Sequence, residues 1–334
     1  MKDDMYTTVL DWINSGRKVA LATVIATWGS SPRPVGSQLI ADDNGAFEGS
    51  VSGGCIEGAV VAEALDVIGH GKPQRMFFGV SRDQARSVGL ACGGEIEIFI
   101  EKISAGPWLT KLTELSQVCR GACLITDLKT GNKIVVPLDT FDQRKELGED
   151  LAAAVDRIQA REKNFTMTLT GRPCFVHGIH PPPQMVVIGA VHIAQPLVVM
   201  ARLQGYDVTV IDPRCDFATK NRFPDVTLIE AWPADALQKL QLHGRTAIVV
   251  LSHDPKLDDP ALKTALASDA FYIGALGSKK THAARLERLQ LTGFSKKTLA
   301  RIYGPVGLSI GAVTAEEIAV SIMAEIIQKR RMGE

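Results

Sequence analysis

Residues 185–212 read MVVIGAVHIAQPLVVMARLQGYDVTVID, and this stretch decides the fold of the second half of the chain. An apolar run (185–188) is followed by a glycine turn and by a segment (193–204) whose apolar residues recur with helical spacing. Gly205 ends that segment, and a second apolar run (207–211) comes directly after it. We therefore predict a strand, a helix and a second strand parallel to the first, since this order requires a helical crossover.

The same alternation continues toward the C-terminus. Two further apolar runs (247–251 and 271–274) predict strands, and segments of helical character lie beside them. The predicted helices lie at 260–267, 281–289 and 314–329. Strands that alternate with helices form a doubly wound parallel sheet with helices on both faces. The predicted fold class is therefore α/β, with a Rossmann-like parallel-sheet domain in the C-terminal half.

The residues before the triple proline at 181–183 have a different pattern, which is typical of a mixed α+β domain. The predicted helices are 4–15, Ser52 to Gly69 and 147–162, and the predicted strands are 18–27, 38–41, 46–51, 75–78, 95–101 and most of 111–175. Consecutive prolines continue neither a helix nor a central strand, so they mark a linker. The predicted domains are 1–180 and 184–334, joined by 181–183.

The composition limits the classes of partner. The chain has 334 residues, 46% of them hydrophobic, with 37 basic and 37 acidic side chains and hence no net charge. This balance gives no electrostatic reason to bind nucleic acid or an anionic membrane. No apolar run approaches the ~20 residues that span a bilayer, and the N-terminal residues lack a signal-peptide pattern. We expect a cytoplasmic protein whose six cysteines are free thiols.

The turn after the first apolar run stands where a dinucleotide-binding motif belongs. Gly189 supplies the first glycine of that motif, and Asp212, about twenty residues on, ends the second strand where a carboxylate usually holds a ribose. Val191 takes the place of the second glycine, where a β-branched side chain crowds a pyrophosphate. The pattern predicts the fold and leaves open whether a dinucleotide binds. His192, in the same turn, is the histidine that we expect to face a ligand.

Two cysteines lie among glycines. Cys55 follows Gly53 and Gly54, and we predict it in the first turn of a helix, where amides and the helix dipole favour a thiolate or a bound anion. Cys92 precedes Gly93 in the segment GLACGG, which offers too little side chain to bury a thiol. Both patterns favour accessible thiols that bind a soft metal or carry sulfur. Inert packing of these cysteines is the alternative.

Long blocks along the chain match the motifs of a known family. In the first half they are ATVIATWGSSPRPVGSQLI (22–40), GSVSGGCIEGAVVAEAL (49–65) and GLACGGEIEIFIE (89–101). In the second half they are PPPQMVVIGAVHIAQPL (181–197), VIDPR (210–214), SHDPKLDDPAL (252–262), YIGALGSKKTHAARLERL (272–289) and GPVGLSIGAVTAEEIAVSIMAEII (304–327). Together these blocks resemble the XdhC/CoxI family, the accessory factors of xanthine dehydrogenase, carbon monoxide dehydrogenase and related molybdenum hydroxylases.

The resemblance implies a chaperone rather than a conventional dehydrogenase. Such proteins bind the molybdenum cofactor, a pterin dithiolene with a phosphate, in the molybdopterin or a nucleotide form. They hold it while an oxo ligand is exchanged for sulfur from a cysteine desulfurase, and then deliver it to an apo-hydroxylase. The residues that match the family motifs and are therefore candidates for cofactor binding are Gly53, Gly54, Cys55, Glu57, Cys92, Gly93, Gly189, His192, Asp212, Arg214, Gly274, Gly277 and Ser278. Of these, Cys55 and Cys92 are the candidates for contact with molybdenum or sulfur.

The sequence departs from the family pattern at three positions. Val191 replaces the second glycine of GAGH, Ser309 stands where an aspartate is common, and Ala315 stands where a proline begins the last helix. The first change weakens the expectation of NAD(P) binding. Two other functions stay open, namely an NAD(P)-dependent oxidoreductase with redox-active thiols, and an adaptor that only docks the hydroxylase and the desulfurase. We expect a homodimer, since most soluble oligomers are symmetric.

Overall fold

The structure is a computed structural model, and it describes residues 5–31, 33–79, 94–139, 148–160 and 163–332. The chain divides into two compact units, Met1–Pro181 and Pro182–Glu334. The candidates Cys92 and Gly93 lie outside the described residues. Among the helices in the described part of the chain, none has both the length and the apolar character needed to cross a membrane.

The first unit consists of helices packed on antiparallel sheets. Its helices are α1 (Met5–Asn14), α2 (Glu57–His70), α3 (Pro107–Gln117) and α4 (Glu149–Gln159). Its strands are β1 (Val19–Trp28), β2 (Gln38–Asp42), β3 (Phe47–Gly49), β4 (Gln74–Phe78), β5 (Glu95–Ile103), β6 (Ala122–Asp127), β7 (Lys133–Pro137), β8 (Phe165–Leu169) and β9 (Arg172–Ile179). One sheet has the order β3-β2-β1-β5-β4 and another has the order β7-β6-β9-β8.

Strand β1 is buried on both faces because helices cover both sides of its sheet. Ala20 and Ala22 point to one side, into a cluster with Val60 of α2. Leu21 points to the other side, into a cluster with Leu112 of α3. Full burial of such a side chain stabilises the fold by about 1.5–3 kcal/mol. The continuous apolar run of β1 therefore fixes it at the centre of the unit.

A buried ion pair joins the two sheets of the first unit. The ammonium group of Lys133 on β7 donates to the carboxylate of Glu101 on β5, and their side chains are 2% and 5% exposed. The same ammonium lies 4.9 Å from the ring centroid of Trp108 on α3. Burial raises the pKa of Glu101 and lowers that of Lys133, and each partner's charge opposes the shift of the other.

The second unit is a doubly wound α/β domain. Its helices are α5 (Ala194–Leu203), α6 (Pro233–Lys239), α7 (Pro255–Ala267), α8 (Lys279–Leu291), α9 (Lys296–Leu299) and α10 (Ala315–Met332). Its strands are β10 (Gln184–Ile188), β11 (Asp207–Ile211), β12 (Thr227–Ile229), β13 (Thr246–Val250), β14 (Tyr272–Ala275) and β15 (Ile302–Tyr303). The strands are parallel and have the order β12-β11-β10-β13-β14-β15. This order reverses direction between β10 and β13, which confirms the predicted Rossmann fold.

Helices cover both faces of this parallel sheet. Val187 of β10 packs on one side in a cluster with Leu197 of α5 and Ile322 of α10. Its neighbour Ile188 packs on the other side with Leu262 of α7. The two-sided burial explains why β10 is apolar at successive positions instead of alternating.

Besides the start of α2, which is described with the candidate site, two predictions about helices are wrong. The sequence predicts strands between residues 111 and 147, but 107–117 is helical because Leu109, Leu112 and Leu115 share a face that packs on the sheet. Helix α7 begins at Pro255 rather than at Pro260, since Asp254 caps it by accepting a hydrogen bond from the Lys256 amide.

Candidate functional site

The loop between β3 and α2 presents Cys55. Gly53 and Gly54 have φ angles of 85° and 121°, which residues with a side chain rarely adopt. The chain turns at these two glycines and leaves the Cys55 side chain exposed. The Cys55 amide donates to the Ser52 hydroxyl at 3.1 Å, so the backbone of the cysteine is fixed as well.

Glu57, the first residue of α2, turns its carboxylate back into this loop and is 7% exposed. It accepts hydrogen bonds from the hydroxyls of Ser50 (2.7 Å) and Ser52 (2.6 Å) and, at 2.9–3.3 Å, from the amides of Val51, Ser52, Gly53, Gly54 and Ile56. Burial alone would raise the pKa of Glu57, but the hydrogen bonds from Ser52 and Ser50 outweigh it and lower that pKa to about 2. The carboxylate therefore stays charged and holds the loop in one conformation.

This geometry corrects the prediction for Cys55. The cysteine lies before the helix rather than in its first turn, because α2 begins at Glu57 with Ile56 as its N-cap residue. The amides of Gly53 and Gly54 donate to Glu57, so they are not available to an external anion. The loop offers an exposed thiol on a rigid turn, and Glu57 acts on the loop instead of facing outward.

In the second unit, Asp212 lies at the carboxyl end of β11 and is fully buried. One oxygen accepts from the Ala190 amide (2.8 Å) and from Nη2 of Arg214 (2.7 Å), and the other accepts from the amide and Nε of Arg214 (both 2.9 Å). These bonds outweigh burial, which would raise the pKa of Asp212, and lower that pKa. Asp212 therefore joins the turn after β10 to the loop after β11.

The turn after β10 does not fit a dinucleotide in the usual pose. Both carboxylate oxygens of Asp212 accept hydrogen bonds from within the chain, so neither is free to accept one from a ribose hydroxyl. Gly189 has φ 99°, and a Cβ there would lie 3.0 Å from the Ser252 amide nitrogen, so glycine is required for the turn. Val191 is half-buried against the core. His192 is exposed at the same edge of the sheet.

Arg214 is held in a defined orientation. Asp212 grips its guanidinium with two hydrogen bonds, and the guanidinium carbon lies 4.1 Å from the ring centroid of Phe217. Its side chain is still 45% exposed. The structure therefore offers a fixed, accessible cation at this edge of the sheet, where open α/β folds bind ligands.

We expect Asp212→Asn to destabilise the protein by about 2–3 kcal/mol, because the amide nitrogen of asparagine would face the donors of Ala190 and Arg214. The exposed Asp216 provides the control, and Asp216→Asn should change stability by less than about 0.5 kcal/mol. Denaturant unfolding of both variants checks this. Equal stability of the two variants would contradict the assigned role of Asp212.

The remaining candidates lie on or after β14. Gly274 is inside the strand, where a Cβ would lie 2.7 Å from the Tyr272 hydroxyl, so its small size serves packing. Gly277 and Ser278 follow the strand, and Ser278 caps α8 by accepting from the Thr281 amide at 3.1 Å.

A buried polar cluster lies beside this loop, and sequence reasoning does not find it. The Ser252 hydroxyl donates to Asp258, and Arg285 donates to Asp258 at 3.3 Å. Arg285 looks in sequence like an exposed residue of a charged helix, so no local pattern reveals its burial. Within the described residues, no group of three or more His, Cys, Asp or Glu side chains is arranged to hold a metal ion.

Comparison with known proteins gives the family. The XdhC Rossmann domain matches residues 185–326, and the XdhC and CoxI family matches residues 12–79. The chain belongs to the XdhC/CoxI family. The loop with Cys55 and Glu57 lies in the second of these matches, and the edge with Asp212 and Arg214 lies in the first.

Full-length relatives support this XdhC/CoxI membership. The chain is 28% identical to the molybdenum cofactor insertion chaperone PaoD of Escherichia coli over 95% of the chain and 85% of the relative. It is 29% identical to a Bacillus subtilis protein named as a probable component of xanthine dehydrogenase, over 97% of each. A crystal structure described as a xanthine dehydrogenase from Bacillus halodurans shares the fold, with a TM-score of 0.74, 23% identity and coverage of 98% and 96%.

Proposed function

We propose that this chain is a chaperone that binds the molybdenum cofactor and inserts it into a molybdenum hydroxylase of the xanthine dehydrogenase type. Two observations support the proposal: the chain aligns over 95% of its length with a molybdenum cofactor insertion chaperone, and it presents an exposed thiol on a rigid loop. The observation that carries the proposal is the exposed thiol of Cys55 on a loop that the Glu57 carboxylate holds in place.

The chemistry of Cys55 suits this cargo. Molybdenum and its sulfido ligand are soft, and thiolates bind soft centres. A thiol on a fixed loop loses little conformational freedom when it binds, and this favours affinity. We propose Cys55, together with Cys92, as the groups that contact the metal or its sulfur, with Gly53, Gly54 and Gly93 giving the bulky pterin room to approach.

The cofactor would be held during sulfuration as well as during delivery. A cysteine desulfurase is the proposed source of sulfur. The desulfurase would carry this sulfur as a persulfide, and a thiol reductant would release it as hydrosulfide while forming a disulfide. The hydrosulfide would then replace the terminal oxo ligand, which leaves as hydroxide, so the metal keeps its oxidation state. The parallel-sheet unit would hold another part of the cofactor, with Gly189, His192 and Arg214 among the groups that contact it. Action as a homodimer in the cytoplasm stays a prediction.

The alternative of an NAD(P)-dependent oxidoreductase has less support. Asp212 is saturated by Ala190 and Arg214, and Val191 stands where backbone must approach a pyrophosphate. Tight binding of NADPH by the purified protein would support the oxidoreductase instead.

The test is maturation of a hydroxylase in cells. The chain is co-expressed with a xanthine dehydrogenase-type apo-hydroxylase, and hydroxylase activity is compared for the wild type, Cys55→Ser and Cys119→Ser. Cys119 is the matched control because it is also an exposed free thiol of the first unit. We expect Cys55→Ser to lower activity at least about tenfold, as loss of a metal-handling group does, and Cys119→Ser to keep it. Full activity with Cys55→Ser would instead favour the adaptor.

A further inference from the structure

Helix α8 begins with an unusual arrangement of charge. Lys279 and Lys280 are its first two residues, both are exposed, and its first turn has no acidic side chain. The N-terminus of a helix carries partial positive charge, so cations there are unfavourable and anions are favourable. The Ser278 cap satisfies the Thr281 amide, and helix geometry leaves the amides of Lys279 and Lys280 without an acceptor inside the helix. This end of α8 therefore has positive charge and donors that an anion would neutralise.

Arg285, two turns further along α8, adds a buried cation with unused donors. The residue is 1% exposed. Its Nη2 atom donates to the Leu276 carbonyl at 2.8 Å and to Asp258 at 3.3 Å, but Nε and Nη1 have no hydrogen-bond partner among the described residues. Nδ1 of His282 is also buried and without a partner there. Buried donors without acceptors are rare in folded proteins and demand an explanation.

The chain contains an internal comparison for Arg285. The sequence SKKT at 278–281 recurs at 295–298, where Ser295 again caps a helix by accepting from the Thr298 amide. The arginine that follows the second copy, Arg301, donates to the carbonyls of Leu266, Ser268 and Ala270 at 2.7–3.0 Å. Carbonyls of the fold thus satisfy Arg301, whereas Arg285 keeps donors free.

The guanidinium of Arg285 lies beside the loop that begins α8, and its Nη2 atom is the one nearest to Gly277. A Cβ on Gly277 would be 3.8 Å from Nη2 of Arg285 and 3.2 Å from the Thr281 side chain. Gly277 has φ 145°, which residues with a side chain rarely adopt, and it lies between Leu276, whose carbonyl accepts from Arg285, and the Ser278 cap of the helix. Asp258 is the acidic side chain in contact with Arg285, and it balances one of the positive charges at this end of the sheet.

We propose that the N-terminal turn of α8, with Arg285 and His282 behind it, binds the phosphate group of an anionic ligand. The phosphate contacts Lys279, Lys280 and the free amides of the turn, and a shift of Gly277 gives it access to Arg285. The proposal rests on the proposed function and refines it, because it places the phosphate of the cofactor after β14 rather than at the Gly189 turn. A monoester and a nucleotide diphosphate share this chemistry.

The test is titration of the full-length protein with inorganic phosphate and with pyrophosphate, followed by ³¹P NMR at low ionic strength. We expect the double variant Lys279→Ala/Lys280→Ala to weaken binding about tenfold or more, since it removes two charge-assisted contacts. The matched control, Lys296→Ala/Lys297→Ala, removes the same charges from the second copy and should keep binding within about twofold. Tighter binding of pyrophosphate would indicate a nucleotide form, and tighter binding of phosphate a monoester.

Arg285→Lys tests the buried member of the site, because it keeps the charge that faces Asp258 but loses the donors of the guanidinium fork. We expect weaker phosphate binding from a folded protein. No phosphate binding by the wild type, or equal loss in both lysine double variants, overturns the site. Loss of binding with hydroxylase maturation intact would reject this site alone, whereas phosphate binding without cofactor retention would reject the proposed function alone.

Discussion

Glu57→Ala should destabilise the first unit by about 4 kcal/mol, because it removes an acceptor on which two hydroxyls and five amides converge. The amides are held close together by the turn at Gly53 and Gly54, so without the carboxylate they repel one another and the turn opens. We expect the thiol of Cys55 to lose its fixed position as a result. Denaturant unfolding measures the stability, and hydrogen exchange of the loop amides measures the opening.

The pH dependence of the free energy of unfolding is a second measure of how Glu57 holds the loop. The pKa of Glu57 is lowered in the folded protein, so its contribution is complete above the unfolded value of 4.5 and is lost as the pH falls toward 2. With allowance for solvent screening, we expect the wild type to lose about 2–3 kcal/mol over this window. Glu57→Gln has nearly the same shape and should lack this loss. If the stability of Glu57→Gln fell with pH as much as that of the wild type, the carboxylate would not be the group that holds the loop.

Lys133→Met should destabilise the first unit by about 3–5 kcal/mol, since it leaves the Glu101 carboxylate buried without its partner. The double variant Lys133→Met/Glu101→Leu replaces both charges with apolar groups and should recover most of that loss. Trp108 lies beside the ammonium, so tryptophan fluorescence can follow unfolding.

The exposed pair Arg120–Asp139 provides the control for the buried one. Its side chains are 44% and 52% exposed, so Arg120→Ala should lower stability far less than Lys133→Met does. A loss as small for Lys133→Met as for Arg120→Ala would contradict the account of the buried pair. Failure of the double variant to recover stability would mean that the pair contributes specific contacts beyond its charge.

The parallel sheet can be predicted from the sequence because its information is local. The predicted strand 207–211 has the bounds that the structure shows, since an apolar run between Gly205 and Asp212 has few other solutions. Strand β10 begins at Gln184, one residue before the predicted 185–188, and its successive apolar residues are explained by helices on both faces.

The site can be predicted only in part, because its decisive contacts are made by particular rotamers. The glycines beside Cys55 indicate a turn and an exposed thiol, but nothing local shows that Glu57 folds back onto the turn and moves the helix start. In the sequence, Asp212 stands where a carboxylate usually binds a ribose, and only the folded structure shows that Arg214 donates to this carboxylate. The helix 107–117 escapes prediction because threonines among its leucines weaken the helical pattern.

We propose that Cys55, on the loop held by Glu57, takes part in holding the molybdenum cofactor. The most direct measurement is the molybdopterin content of the full-length protein purified from cells with an active cofactor pathway, compared among the wild type, Cys55→Ser and Cys119→Ser. We expect cofactor in the wild type and in Cys119→Ser, and at least about tenfold less in Cys55→Ser. A wild type without cofactor, or a Cys55→Ser variant that retains as much as the wild type, would contradict it.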